Sequence, residues 1–276
     1  MRILLTGGTG FIGSAVLSQL VEAGHTVTAV VRSPQSARSV EDAGAVSVVG
    51  DLFDREWLGS ELSQHDAAIH TAAGSDGRDA ELNGAVIDAA IATYGGTDKP
   101  FLLTGGIWTY GSSSSITENS TPDAPALTAW RVDAEQRLLD SGVRATVIRP
   151  GIVYGHGGGI PAMLVASGAV PGTGEQHWTT VHVDDLADLY VRALDLPGGQ
   201  GYVAVNGDNP KVADLADAIG AQPEGDTATL EKLGAFGEAL LLDQQASGQK
   251  ARADLGWTPS RPTLVEELKA GYSSAA

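Results

Sequence analysis

The run Thr6-Gly7-Gly8-Thr9-Gly10-Phe11-Ile12-Gly13 is the place in this 276-residue chain where residue types and spacing most clearly specify a chemistry. Glycines let a backbone turn tightly and come close to a pyrophosphate, while the open amides and positive end of a following helix supply an anion site. Such a cradle needs a strand before it and a helix after it. Here apolar Arg2 to Thr6 precedes the run, and Ile12, Val16, Leu20 and Ala23 follow at helical spacing. An ordinary glycine-rich turn would not need both flanks. At the end of the second apolar run the sequence reads Val30-Val31-Arg32-Ser33. A carboxylate there, about 20 residues past the glycines, would hold a ribose 2′-hydroxyl. A guanidinium instead suits a 2′-phosphate, so the expected dinucleotide is NADP, with NAD possible, and Arg38 is a candidate to assist. The plain alternative is a solvated charge at a strand end.

Further along, His156 sits in Gly155-His156-Gly157-Gly158-Gly159, a segment able to flex over a site. Imidazole is the side chain whose proton comes and goes near neutral pH; a solvated loop histidine is the alternative. Trp108 either stacks on a flat substrate or nicotinamide, or fills the core. His177, His182, Asp184 and Asp185 match no zinc spacing, and Asp184 can cap the helix it precedes, so no metal is expected. The chain has no cysteine, which removes disulfides, thiolate nucleophiles, iron–sulfur clusters and thiolate zinc sites.

The elements that must position these residues alternate between short β-rich runs and longer helical patterns, the signature of an α/β fold with a doubly wound parallel sheet of Rossmann type. Strands are expected at Arg2 to Thr6, Thr26 to Val31, Val46 to Val49, Ala67 to His70, Phe101 to Thr104 and Ala145 to Ile148. Helices are expected around Gln35 to Ala43, Glu56 to Ser63, Asp79 to Tyr94 and Trp130 to Ser141. The composition changes after Pro150, which suggests a nucleotide-binding domain over 1–150 and a smaller, mainly helical substrate-binding portion over 151–276. That portion is expected to hold helices at Asp184 to Leu194, Val212 to Ile219 and Leu264 to Tyr272, and one short strand near Tyr202 to Val205. Ser112 to Ser115 reads as a loop between Gly111 and Pro122.

Seventeen Lys and Arg stand against 34 Asp and Glu, a formal net charge of −17. That balance disfavours nucleic acid and acidic membrane surfaces as partners. No apolar run approaches the roughly 18 residues of a membrane span, and the opening residues lack a signal-peptide core. The expectation is a cytoplasmic protein, monomer or homodimer, with a small-molecule substrate.

Together these residues resemble the short-chain dehydrogenase/reductase superfamily, in its extended and atypical branch of NAD(P)-dependent epimerase/dehydratase-like proteins. The resemblance rests on Thr6 to Gly13, Gly50-Asp51-Leu52, His70-Thr71-Ala72-Ala73, Thr104 to Gly111, Arg149 to Gly155, Val181 to Ala187 and Leu255 to Pro259. It implies that Asp51 and Leu52 lie beside the adenine, that Thr71, Ala72 and Ala73 line the cofactor, and that Pro150, Gly151 and Val153 flank the nicotinamide.

The family's catalytic set is a Ser or Thr after the fifth strand and a Tyr-x-x-x-Lys on the next helix. Here the hydroxyl position falls at Gly105 or Gly106, leaving Thr104 and Thr109 nearby. Leu127 stands in the tyrosine's place and Arg131 in the lysine's. Arg131 can still bond the nicotinamide ribose, but a guanidinium stays protonated and cannot serve as the acid. The remaining proton donors are Tyr110, Tyr154, His156 and water, with Tyr110 alternatively a packed ring. Three functions follow: an NADP-dependent reductase or dehydrogenase of a small carbonyl, imine or enone; a nucleotide-sugar epimerase or dehydratase; or a catalytically silent NADP-binding sensor.

Overall fold

The structure is a computed structural model describing residues 1–74 and 77–273. In chain order the elements begin with β1 (Arg2–Thr6), α1 (Phe11–Glu22), β2 (Thr26–Val31), α2 (Pro34–Asp42), β3 (Val46–Val49), α3 (Arg55–Ser63), β4 (Ala67–His70), α4 (Asp79–Tyr94) and β5 (Pro100–Thr104). After a 3-10 turn over Ile107–Tyr110 come β6 (Ser113–Ile116), α5 (Ala129–Leu139), β7 (Arg144–Pro150), β8 (Ile152–Tyr154), α6 (Ile160–Ser167), β9 (Ala169–Val170), β10 (Thr180–His182), α7 (Val183–Ala193) and β11 (Gln200–Ala204). The chain ends with α8 (Val212–Ile219), β12 (Gln222–Pro223), α9 (Asp226–Leu233), α10 (Ala235–Leu240), β13 (Gln244–Ala246), α11 (Gln249–Leu255) and α12 (Leu264–Gly271). It forms two compact units: Met1–Gly105 with Asp133–Ile148 and Ala187–Gly201, and Gly106–Val132 with Arg149–Leu186 and Tyr202–Ala276.

Among the described residues seven strands make one sheet in the order β11-β7-β5-β4-β1-β2-β3. The β1–β2, β2–β3, β1–β4, β4–β5 and β5–β7 pairs are parallel, the doubly wound arrangement the sequence predicts. The chain runs outward from β1 to β3 and then returns to β4 on β1's other side. This makes the carboxyl ends of β1 and β4 the switch point at which such sheets bind ligands. Leu4, Val30, Ala68, Phe101, Leu103 and Val147 are buried against Leu58, Leu62, Val86 and Leu138 of the helices. Ser33 accepts from the Ser36 amide at 3.2 Å to start α2, with Pro34 in its first turn. Asp54 does the same for α3 through the Trp57 amide at 3.0 Å.

The second unit has its own core of Ile152, Tyr154, Trp178, Leu215, Leu264 and Leu268. Two expectations are corrected there. Ser113–Ile116 is a strand rather than a loop, paired in parallel with β13. The buried Gln244 side chain supports it, donating to the carbonyls of Ile107 and Gly111 at 3.1 and 2.6 Å. Serines form a strand here because a distant partner takes up their backbone groups. The unit also contains short parallel pairs, β8 with β10 and β9 with β12, where only helices and one strand were expected. Strands of two or three residues carry no readable period.

Candidate functional site

The first unit contains a cleft of about 420 Å3 at its sheet's switch point. Its floor is the glycine loop, and two contacts explain why that loop is glycine. Gly7 has φ +78°, and a Cβ on it would meet the Ala72 amide nitrogen at 2.6 Å. A Cβ on Gly13 would meet the Gly7 carbonyl at 2.0 Å and Thr71 Oγ1 at 2.6 Å. The loop after β1, the loop after β4 and the start of α1 therefore close on one another through backbone. Gly10 begins α1 without a side-chain cap, and the first turn carries no acidic residue, so its amides remain available to an anion. Gly7, Thr9, Gly10, Phe11 and Ile12 all line the cleft, as do Thr71, Ala72 and Ala73. Gly13 does not line it and serves the packing instead. Thr71 Oγ1 donates to the Thr6 carbonyl at 2.8 Å, holding β1 and β4 in step.

Arg32, Asp51 and Leu52 form the other end of the cleft. Arg32 is exposed and, among the described residues, has no carboxylate within ion-pairing distance. It stands beside the Ser33-capped start of α2. Arg38, farther along α2, does not line the cleft. The Asp51 carboxylate accepts from the Phe53 amide at 2.9 Å, and the Trp57 ring lies so close to Gly50 that a Cβ there would stand 2.0 Å from it. Val30, Phe53, Gly74 and Leu82 also line the cleft, and the sequence reading missed them. Val30 and Leu82 carry the same signal as core residues, and no spacing rule marks an aromatic at position 53.

The other expected residues are more constrained. Thr104 Oγ1 donates to the His70 carbonyl at 2.8 Å and lies 2.5 Å from Tyr190 Oη. Its hydroxyl thus has structural partners in both roles. In the second unit Tyr110 is buried with Ile107, Ile116, Val205 and Ala246, and the Arg149 guanidinium lies 5.6 Å from its ring. Thr109 Oγ1 donates to the Gly106 carbonyl at 2.9 Å. Arg131 stacks on Trp130 at 4.4 Å in the first turn of α5, and Leu127 is exposed in the turn before it. Pro150 ends β7, the Gly151 amide donates to the Ala204 carbonyl at 3.2 Å, and Val153 pairs with Val181. Trp108 meets Phe236 edge to face at 5.8 Å.

Tyr154 is buried, donates to the Pro262 carbonyl at 2.7 Å and accepts from Asn206 at 3.2 Å. Burial raises its phenol above the ordinary tyrosine range. His156 adopts φ +50°, and its Nε2 lies 2.9 Å from Asp184 Oδ1, while Arg261 lies 3.1 Å from Asp184 Oδ2. Asp184 is therefore not the cap that was expected: it lies inside the first turn of α7, and its carboxylate serves these two neighbours. Asp185 accepts from the Ser260 and Arg261 amides at 3.0 and 3.1 Å, and His177 pairs with Asp243 at 2.9 Å.

His156, His182 and Asp184 bring three ligand-capable atoms within 4.8 Å of one another. The hydrogen bonds argue against an ion there. The Asp184 amide donates to His182 Nδ1 at 3.1 Å, which leaves the proton on Nε2, facing Glu267 at 3.0 Å. Neither ring nitrogen of His182 then offers a free lone pair, which ligation requires. Burial, the largest influence, lowers the pKa of His182 against the opposing pull of Glu267, Asp184 and Asp185.

The NAD(P)H-binding family's profile matches residues 7–197. The Schizosaccharomyces pombe protein C2A9.02 is 31% identical over 290 residues, 97% of this chain and 98% of its own. The 2-alkyl-3-oxoalkanoate reductase of Stenotrophomonas maltophilia is 28% identical over 338 residues, spanning 100% of both chains. Among solved structures, the human epimerase family protein SDR39U1 (isoform 2) with NADPH superposes with a TM-score of 0.76 at 23% identity, covering 98% of each chain.

Proposed function

Because the chain belongs to the NAD(P)H-binding family, we propose that it is an NADP-dependent oxidoreductase acting on a small carbonyl, imine or enone. The observation that carries this reading is the adenosine end of the cleft. Arg32 has no acidic partner among the described residues and stands beside the Ser33-capped start of α2. A guanidinium next to a helix start suits a dianionic 2′-phosphate and gains nothing from a bare diol. Gly7, Thr9, Gly10, Phe11 and Ile12 would hold the pyrophosphate, Asp51 and Leu52 would flank the adenine, and Thr71, Ala72 and Ala73 would extend toward the nicotinamide. The bound nicotinamide supplies hydride chemistry.

By the resemblance, Arg131, Pro150, Gly151 and Val153 would serve the nicotinamide half. Of the four side chains proposed for catalysis, Thr104 and Tyr110 are held by structural partners and Arg131 cannot give up a proton. His156 keeps an exposed ring and is the preferred proton carrier. The full-length similarity to a protein named as a reductase supports the direction of the reading. Leu127 in the tyrosine's place disfavours the epimerase or dehydratase reading, which needs base-assisted oxidation of a hydroxyl.

The test is a titration with NADPH and then NADH, following energy transfer from tryptophan to reduced nicotinamide, before a screen of NADPH oxidation against carbonyls, imines and enones. Tighter binding of NADPH than NADH, with the preference erased in Arg32→Ala, is expected. Binding of neither nucleotide would sink the reading, and binding without turnover on any acceptor would favour the silent sensor.

A further inference from the structure

Phe53 is one of four residues lining the cleft, with Val30, Gly74 and Leu82, that the family pattern does not account for. It follows β3, and its half-buried ring forms part of the cleft wall beside Leu52, with Leu82 also in the lining. The Arg78 guanidinium lies 4.0 Å from the centroid of that ring. Phe53 lines the cleft and Arg78 does not, so the ring meets the cleft while the cation contacts it from a residue outside the lining. Both partners are held. Arg78 makes a two-pronged pair with Glu81, Nε to Oε2 at 2.9 Å and Nη2 to Oε1 at 2.6 Å. The Phe53 amide is fixed by Asp51 at 2.9 Å.

The sheet order then says what the ring would face. The pyrophosphate cradle follows β1 and Arg32 follows β2, so the next group outward, over the end of β3, is the base attached to the ribose. We infer that Phe53, backed by Arg78, is the stacking platform for the purine base of the bound nucleotide. A ring already fixed by a cation and a backbone turn loses little freedom when a flat base settles on it. The inference rests on the NADP-cleft reading and is independent of what reaction the protein catalyses.

The experiment measures the affinity of the whole chain for ADP and for 2′,5′-ADP by calorimetry, in wild type, Phe53→Leu, Phe53→Tyr and Arg78→Ala, with the melting temperature of each ligand-free variant as the folding control. Phe53→Leu keeps the apolar volume and removes the π-face. It should weaken both nucleotides by about tenfold, in line with base–aromatic stacking elsewhere, while Phe53→Tyr stays near wild type. Arg78→Ala should weaken both by an equal factor of about three, the scale of an exposed cation–π contact. Wild-type affinity in Phe53→Leu, or weakening fully matched by a fall in melting temperature and not rescued in Phe53→Tyr, would overturn the platform. A loss in Arg78→Ala confined to 2′,5′-ADP would make Arg78 a phosphate contact and overturn its backing role. If wild type binds neither nucleotide, the cofactor reading fails, an outcome distinct from failure of the platform alone.

Discussion

The cleft of the first unit and the histidine cluster of the second both gather chemistry-bearing groups, and they dispose of them in opposite ways. In the cleft the protein leaves polar capacity unspent: Arg32 has no acidic partner among the described residues, and Gly10 leaves the first amides of α1 without a side-chain cap. In the cluster, His182 bonds at both nitrogens, Asp184 serves His156 and Arg261, and Tyr272 Oη accepts from the Gly155 amide at 2.7 Å and donates to the Gly158 carbonyl at 2.6 Å. Burial pushes the Tyr272 phenol up to about 12, so it stays a donor throughout the physiological range. The cleft thus leaves polar groups open, whereas the cluster spends most of its own within the fold, as a brace around the exposed His156 ring.

The sharpest way to break this contrast is Gly13→Ala. Its Cβ would stand 2.0 Å from a backbone carbonyl, and overpacking that no rotamer relieves costs about 3 kcal/mol. Thermal melting should show that loss, and NADPH titration at least a tenfold weaker complex. Next is Arg32→Ala, expected to remove about 2 kcal/mol of NADPH binding, the scale of a charge-assisted bond, while NADH affinity stays unchanged. An equal loss for both nucleotides would place Arg32 outside 2′-phosphate recognition. Tyr272→Phe should cost about 1–2 kcal/mol of stability for two lost hydrogen bonds and leave NADPH affinity alone. If NADPH affinity fell instead, the brace would belong to the site.

The pH response of the cluster should be smaller. Because the folded state lowers the pKa of His182, its contribution to stability is fully present above the unfolded value of about 6.5 and is lost as pH falls toward the folded value. Melting temperatures of wild type and His182→Asn measured from pH 8 to pH 5 should converge as the pH drops; parallel curves would remove His182 from the acid response. Smallest is Arg38→Ala, which lies outside the cleft lining and should change NADPH affinity by less than about twofold, the usual scale for a surface substitution.

Much of the first unit was legible in advance. Arg2–Thr6, Thr26–Val31, Val46–Val49, Ala67–His70 and Asp79–Tyr94 fall where the sequence predicts them, because apolar runs bounded by turn residues and longer helical patterns are local signals. Gly7, Thr9, Gly10, Phe11, Ile12 and Arg32 were named from backbone freedom and charge at a strand end, and Asp51, Leu52 and Thr71 to Ala73 from the resemblance; all of them line the cleft. Phe53 and Leu82 were not, because a ring or a leucine lines a cleft only through the path of the surrounding chain. In the second unit the Ser113–Ile116 strand depends on a partner more than 120 residues later, and the link from His156 to Asp184 spans 28 residues. Neither leaves a local trace.

The sequence by itself determined the alternation that becomes a doubly wound parallel sheet, the glycine loop after its first strand and the guanidinium after its second, because these are properties of short segments acting through backbone freedom and charge. Only the tertiary structure decided which of the candidate polar groups remain open to a ligand. Satisfaction of a donor or acceptor depends on what the fold brings within 3 Å of it, and those partners come from segments far apart in the chain.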